Sequence, residues 1–138
     1  GIVIAEIQQT SDVTYRIYDF DRLDANGNKR ELHVDLSLEA INYEIVNAKK
    51  DYAKVENVSN EVVNCNYFTT NFIPLDGNSK VIKNKSSFTV YMCVDGDFQL
   101  MIDKESYRYK KGDTVLIPAA LTDFQLSGNA SILEIYIS

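Results

Sequence analysis

The sequence has no tryptophan, one histidine, two cysteines and two prolines among its 138 residues. One imidazole cannot form a transition-metal site alone, because such sites take three or four protein ligands. Two cysteines, Cys65 and Cys93, are too few for a disulfide framework, and both stand in apolar strand patterns that favour buried, reduced thiols. The sequence therefore favours a cytoplasmic protein.

Basic runs and long apolar stretches are also missing. The net charge is −6, which argues against nucleic acid as a partner, because that affinity comes mainly from Lys and Arg on phosphates. No apolar stretch approaches the roughly 20 residues of a membrane helix, so no membrane association is expected. One small phosphorylated ligand stays possible, since it needs only one or two local cations.

The first sixty residues mix short elements. Residues 2–9 and 13–20 alternate between apolar and polar side chains around a turn, which predicts a β-hairpin or two neighbouring strands. Residues 24–28 contain an Asn-Gly pair and predict a turn. Asp35 as N-cap, followed by apolar residues at helical spacing, predicts an amphipathic helix over residues 36–46. Polar residues then indicate a linker that reaches residue 60.

From Glu61 onward the pattern predicts only β-strands. Short strands at this spacing are typical of a sandwich or barrel. The residues predicted to separate most of them are Pro74 to Gly77, Asp95-Gly96, Lys111-Gly112, Pro118 and Gly128. The predicted strands are residues 61–72, 79–84, 87–94, 97–102, 105–109, 113–117, 121–126 and 130–137.

Charged side chains are concentrated between Glu6 and Arg22. Glu6 alternates onto one face with apolar neighbours, where a carboxylate is costly unless it is paired. Arg16 keeps its charge at any relevant pH and can stabilise a developing oxyanion, or it can form a structural ion pair with Glu6 or Asp12. The simpler roles of Asp12 and Arg22 are a turn cap and a solvated loop cation.

The run Gln8-Gln9-Thr10-Ser11-Asp12-Val13-Thr14-Tyr15-Arg16 resembles the end of the catalytic domain of type I mannose-6-phosphate isomerases. The resemblance is close over residues 1–45 and looser towards the C-terminus. It implies that Arg16 is catalytic and that Glu6, Asp12 and Arg22 line the pocket for a hexose 6-phosphate. It also implies zinc in the full-length enzyme, with every zinc ligand upstream of Gly1.

Two later stretches resemble cupin motifs. Val94-Asp95-Gly96-Asp97 is similar to the turn that closes the first motif, and residues 111–119 are similar to the second motif. A metal-binding cupin carries two His and a Glu before the first turn and a third His after the second motif. Residues 82–89 contain no His or Glu, and residues 121–124 contain no His. Residues 61–138 are therefore predicted to be a metal-free cupin, and the single histidine, His33, is predicted to be structural.

These observations predict a mainly β fold, namely a cupin-type jelly roll (a double-stranded β-helix) preceded by a β-hairpin and one α-helix. Residues 1–34 are expected to be terminal strands of an upstream catalytic cupin, residues 35–60 a helix and linker, and residues 61–138 the C-terminal cupin. The chain opens on Gly1 in mid-strand, so we expect a C-terminal fragment that is inactive alone and that associates through its exposed N-terminal strands. The alternative is a non-enzymatic cupin module that binds a sugar or mediates assembly.

Overall fold

The structure is a computed structural model that describes residues 4–10, 13–82 and 86–137. The chain divides into two compact units. The sheet unit comprises residues 1–9 and 49–138, and the 10–48 unit comprises the residues between them.

The described residues of the sheet unit form six antiparallel strands in one sheet. Their order is β1-β2-β6-β3-β4, and β5 pairs with residues 89–92 of β3 on the edge opposite β6. The strands are β1 (Asn60–Asn64), β2 (Thr69–Ile82), β3 (Thr89–Ile102), β4 (Glu105–Lys110), β5 (Thr114–Ile117) and β6 (Asp123–Tyr136). The mainly β prediction is confirmed.

The core lies on one face of this sheet. Side chains alternate along a strand, so every second residue of β2, β3 and β6 points inward. The buried apolar residues are Ile73, Leu75, Tyr91, Cys93, Phe98, Leu100, Ile117, Phe124, Leu126, Ala130 and Ile132. No helix occurs among the described residues of this unit, so the sheet must curl around its own core to bury that face.

Three strands are longer than the sequence predicted. Pro74 to Gly77, Asp95-Gly96 and Gly128 were expected to separate strands, but they lie inside β2, β3 and β6, each of 14 residues. The glycines have positive φ angles, and a β-bulge between Cys93 and Asp95 lets β3 change direction without ending. Residues 83 and 84, at the end of the predicted strand 79–84, lie outside the described residues.

Gly96 lies on β3 where the backbone of β6 passes close to it. A Cβ at this position would lie 2.2 Å from the backbone oxygen of Asn129, and the φ angle is +72°. We expect Gly96→Ala to lower the free energy of unfolding by about 2–4 kcal/mol, through backbone strain and overpacking. Gly112→Ala is the matched control, because its φ is +92° but nothing lies within 4 Å of its Cβ. Equal losses for the two variants in urea denaturation would contradict this explanation.

The helix differs from its prediction at both ends. Helix α1 covers Val34–Ala40, and its N-cap is His33, not Asp35. Ile41 is already extended, and its N–H donates to the carbonyl oxygen of Ser37. The predicted continuation to residue 46 contains Ile45, which is fully exposed, so no apolar contact within the described residues supports further turns.

The predicted hairpin of residues 2–9 and 13–20 is wrong in its described part. Residues 4–10 and 13–20 contain no regular strand. A strand needs a partner for its backbone groups, and alternation of side chains does not supply one. Residues 1–3, 11 and 12 lie outside the described residues.

Candidate functional site

A short hairpin organises the 10–48 unit. The Asp24 carboxylate accepts hydrogen bonds from the backbone N–H groups of Asn26 (2.8 Å) and Asn28 (2.9 Å), and Gly27 has a φ of +83°. An isolated antiparallel bridge joins Leu23 to Lys29. The predicted turn at residues 24–28 is therefore confirmed, and it returns the chain towards the residues that precede it.

The buried carboxylate of Asp19 forms ion pairs with two arginines, Arg22 and Arg30. Its side chain is 8% exposed. Arg22 donates to Oδ1 from Nη2 (2.7 Å) and from Nε (3.2 Å), and Arg30 donates to Oδ2 from Nε (2.7 Å) and to Oδ1 from Nη2. These hydrogen bonds, that from Arg30 first, hold the pKa of the Asp19 carboxyl well below its usual range. The carboxylate is therefore charged at neutral pH.

Arg16 is half-buried and held by backbone groups. Its Nη1 donates to the carbonyl oxygen of Glu31 at 3.0 Å, and its backbone N–H donates to Nδ1 of His33 at 3.3 Å. The N–H of His33 donates to the carbonyl oxygen of Arg16 at 2.7 Å. Among residues 13–48 no carboxylate forms an ion pair with Arg16. His33 caps α1 and aligns these two segments, which is a structural role.

The four residues predicted from the sequence have different surroundings. Arg16 and Arg22 lie in the 10–48 unit, and Arg22 is bound to Asp19. Glu6 belongs to the sheet unit and is exposed. Asp12 lies outside the described residues.

A second polar cluster lies inside the sheet unit. Glu134 on β6 is 8% exposed, and its neighbours on β2 and β3 in the same row are Asn71 and Tyr91. The carboxylate accepts hydrogen bonds from Tyr91 (2.8 Å), Asn71 (2.8 Å) and the Ser59 hydroxyl (2.6 Å). Burial, together with the charge of Glu134, raises the pKa of Tyr91 far above its usual range. Ser59, Asn71 and Tyr91 thus each donate a hydrogen bond to the same carboxylate.

The sequence interpretation missed Asp19, Arg30 and Glu134. For Glu134 a signal existed, because period-two alternation from Ile132 places it on the inner face. For Asp19 and Arg30 no such signal existed, because these two residues meet only when the turn at residues 24–28 reverses the chain.

No metal-binding cluster occurs in the part of the chain that the structure describes. Residues 4–10, 13–82 and 86–137 contain no cluster of three His, Cys, Asp or Glu side chains placed to hold an ion. In the same residues no helix is long and apolar enough to cross a membrane.

Comparison with known proteins identifies relatives over most of the chain. Residues 58–137 match the family model for the cupin domain of mannose-6-phosphate isomerase. Mannose-6-phosphate isomerase ManA of Bacillus subtilis is 33% identical over 136 residues, which cover 96% of this chain and 43% of that protein. The mannose-6-phosphate isomerase of Streptococcus mutans is 30% identical, covering 96% and 42%. The chain spans less than half the length of these curated relatives.

Solved structures agree with the curated relatives. The mannose 6-phosphate isomerase from Bacillus subtilis superposes with a TM-score of 0.73 at 29% identity, covering 91% of this chain and 40% of that chain. A cupin-2 domain protein from Shewanella frigidimarina gives a TM-score of 0.52 at 12% identity, covering 60% and 82%, which shows the fold alone. The predicted cupin fold is confirmed.

Proposed function

The chain belongs to the mannose-6-phosphate isomerase family, and from that premise we propose that it forms the C-terminal part of an enzyme that interconverts mannose 6-phosphate and fructose 6-phosphate. The observation that carries the proposal is the family match over residues 58–137. The arginines of the 10–48 unit support it, because a sugar phosphate requires cationic donors.

The surface of the 10–48 unit supports a larger catalytic body. None of the buried apolar residues lies between residues 13 and 48. Large apolar side chains there are exposed to solvent, with exposed fractions of 63% for Tyr18, 76% for Phe20 and 104% for Ile45. Such a unit has no core of its own, and contiguous exposed apolar surface marks an interface. We propose that the preceding polypeptide covers it, so that residues 1–34 complete the catalytic cupin. Association with a second copy stays a prediction.

Arg16 is the proposed catalytic residue of this chain. Aldose–ketose isomerisation moves a proton between C1 and C2 through a cis-enediol, and negative charge develops on the adjacent oxygen. The Arg16 guanidinium is anchored through Nη1, while Nε and Nη2 have no partner among the described residues. A planar fork held in this way can donate to that oxygen. Glu6, Asp12 and Arg22 are proposed to contact the substrate.

Zinc does not fit the described residues of this chain. A zinc site takes three or four nitrogen, oxygen or sulfur ligands, and the described ranges contain no such group. We propose that the zinc of the family is bound by residues outside this chain. We also propose that the protein is cytoplasmic, because its two cysteines are unpaired.

An assay of the complete polypeptide that contains residues 1–138 tests the proposed function. We expect conversion of mannose 6-phosphate and none of unphosphorylated mannose, measured by coupled reduction of a nicotinamide cofactor. The alternative, a non-enzymatic sugar-binding or assembly module, predicts no conversion of either sugar. The outcome therefore separates the two functions.

The metal content of residues 1–138 alone gives a separate prediction. After dialysis the chain should hold less than about one equivalent of zinc by elemental analysis, because it lacks a ligand set, and it should have no isomerase activity. The complete polypeptide, prepared identically, is the control and should retain the metal. A stoichiometric zinc signal from residues 1–138 would show that this chain carries the site.

A further inference from the structure

Two hydrogen bonds join His33 to the backbone of Arg16. The backbone N–H of His33 donates to the carbonyl oxygen of Arg16 at 2.7 Å, and the backbone N–H of Arg16 donates to the imidazole Nδ1 at 3.3 Å. Nη1 of Arg16 also donates to the carbonyl oxygen of Glu31 at 3.0 Å. Residues 31–33 therefore hold both the backbone and the guanidinium of Arg16.

The contact to the imidazole is the one that depends on protonation. Nδ1 accepts the Arg16 N–H through a lone pair, which the neutral ring with its hydrogen on Nε2 provides. In the protonated ring both nitrogens are donors, so an N–H group would face another N–H group. An imidazole changes its charge between about pH 5 and 8. Acidification should therefore break this contact, while the two contacts to carbonyl oxygens stay possible.

Charged and titratable groups surround the imidazole within residues 13–48. Oε2 of Glu31 lies 3.9 Å from Nε2, so the carboxylate and the Arg16 N–H act on different ring nitrogens. The rings of Tyr15 and His33 are 6.5 Å apart between centroids, and Asp35 lies in the first turn of the helix that His33 caps. The His33 side chain is 25% exposed, so solvent protons reach it. A protonated ring would be repelled by the Arg16 N–H and attracted by Glu31, which favours release of Arg16.

We propose that neutral His33 is the positioning residue for Arg16, and that protonation of His33 loosens the Arg16 backbone. The imidazole acts through Arg16 and does not contact the reacting atoms. The catalytic consequence rests on the proposed function, in which Arg16 donates to the oxygen that gains negative charge. Displacing such a group by about 1 Å can cost about 10²-fold in rate, so the contact affects turnover and not only folding.

NMR titration of the complete polypeptide tests the contact without turnover. The backbone amide of Arg16 and the imidazole of His33 are followed from about pH 8 to about pH 5. We expect both to shift with one common midpoint, because the amide loses its acceptor when the ring is protonated. The backbone amide of Arg108 on β4 is the internal control and should not follow His33. Absence of a common transition would overturn the proposal, whether or not the protein is an isomerase.

Two substitutions of His33 separate positioning from folding in the isomerase assay. His33→Ala removes the acceptor, and kcat should fall by roughly 10–100-fold while KM stays within about threefold of wild type. His33→Asn keeps an acceptor oxygen near the place of Nδ1, is not protonated in this pH range and is a favourable N-cap. It should recover most of the lost kcat, and its kcat should decline less than that of wild type on acidification.

Ser37→Ala is the matched control for the fold. The Ser37 hydroxyl donates to the carbonyl oxygen of His33 at 2.7 Å, so its loss weakens the start of α1 without removing the imidazole. This variant should melt at a lower temperature and keep the pH dependence of kcat seen in wild type. If His33→Asn also keeps that pH dependence, or His33→Ala changes only the melting temperature, His33 is structural and the proposal is wrong. A wild-type polypeptide without isomerase activity would contradict the proposed function, and the NMR titration would still decide the contact.

Discussion

Arg16→Ala in the complete polypeptide, acting as the proposed isomerase, should reduce kcat/KM for mannose 6-phosphate by about 10²–10³-fold, or about 3–4 kcal/mol of transition-state stabilisation. The reason is that Arg16 is anchored by the backbone of Glu31 and not by a carboxylate within residues 13–48. Its charge is therefore available to an oxygen on which negative charge develops. Steady-state kinetics on the purified complete polypeptide measures the loss.

Two further variants control for the loss of charge and of folding. Arg16→Lys should recover little activity, because an ammonium group cannot reproduce a planar fork. Arg108→Ala removes an exposed arginine outside the site and should leave kcat/KM unchanged. If Arg16 is only structural, Arg16→Ala would lower the melting temperature by several degrees, and kcat of the folded fraction would stay near wild type.

Glu134→Leu should lower the free energy of unfolding of the sheet unit by about 3–5 kcal/mol. The substitution leaves the buried donors of Asn71 and Tyr91 without an acceptor, and it also removes the partner of Ser59. For a unit of this size the melting temperature should fall by more than about 10 °C. Thermal and urea unfolding of residues 1–138 measure the effect.

A graded series tests whether the network causes that loss. Tyr91→Phe removes one donor and should cost about 1.5–3 kcal/mol, because the bond is to a charged group. Glu61→Leu, at an exposed position of β1, is the control and should change stability by less than about 0.5 kcal/mol. A Glu134→Leu variant as stable as Glu61→Leu would mean that the cluster contributes nothing to stability.

The sheet was predictable from the sequence because its signal is local. Alternation along β2, β3 and β6 reports which side chains face a core, and the core residues follow that period on either side of the bulge in β3. Glycines were read as strand ends because turns and mid-strand bends both favour positive φ. Whether Gly96 ends a strand or bends it depends on Asn129, which is distant in sequence.

The ends of the helix and the N-terminal strands were not predictable in the same way. Apolar periodicity over residues 36–46 shows which residues need burial, but it does not show what buries them. Within the described residues nothing covers Ile45, and α1 ends at Ala40. The alternation in residues 13–20 likewise shows which side chains would share a face of a strand. It does not supply the neighbouring strand that a sheet requires.

The candidate site was predictable only in part. The resemblance supplied Arg16 and Arg22, whose motif is continuous in sequence. Arg30 joins Asp19 only because the turn at residues 24–28 reverses the chain, and no local pattern encodes that pairing. The sequence thus predicted which cationic side chains the 10–48 unit contains. Which side chains they bond to depends on the tertiary structure.

The most direct test of the account is an NMR measurement of the complete polypeptide with mannose 6-phosphate in D₂O. The account predicts that fructose 6-phosphate forms and carries deuterium at C1, because the proton that moves through a cis-enediol exchanges with solvent. Product without deuterium would mean that the base returns its proton before it exchanges with solvent, and absence of fructose 6-phosphate would contradict the proposed function.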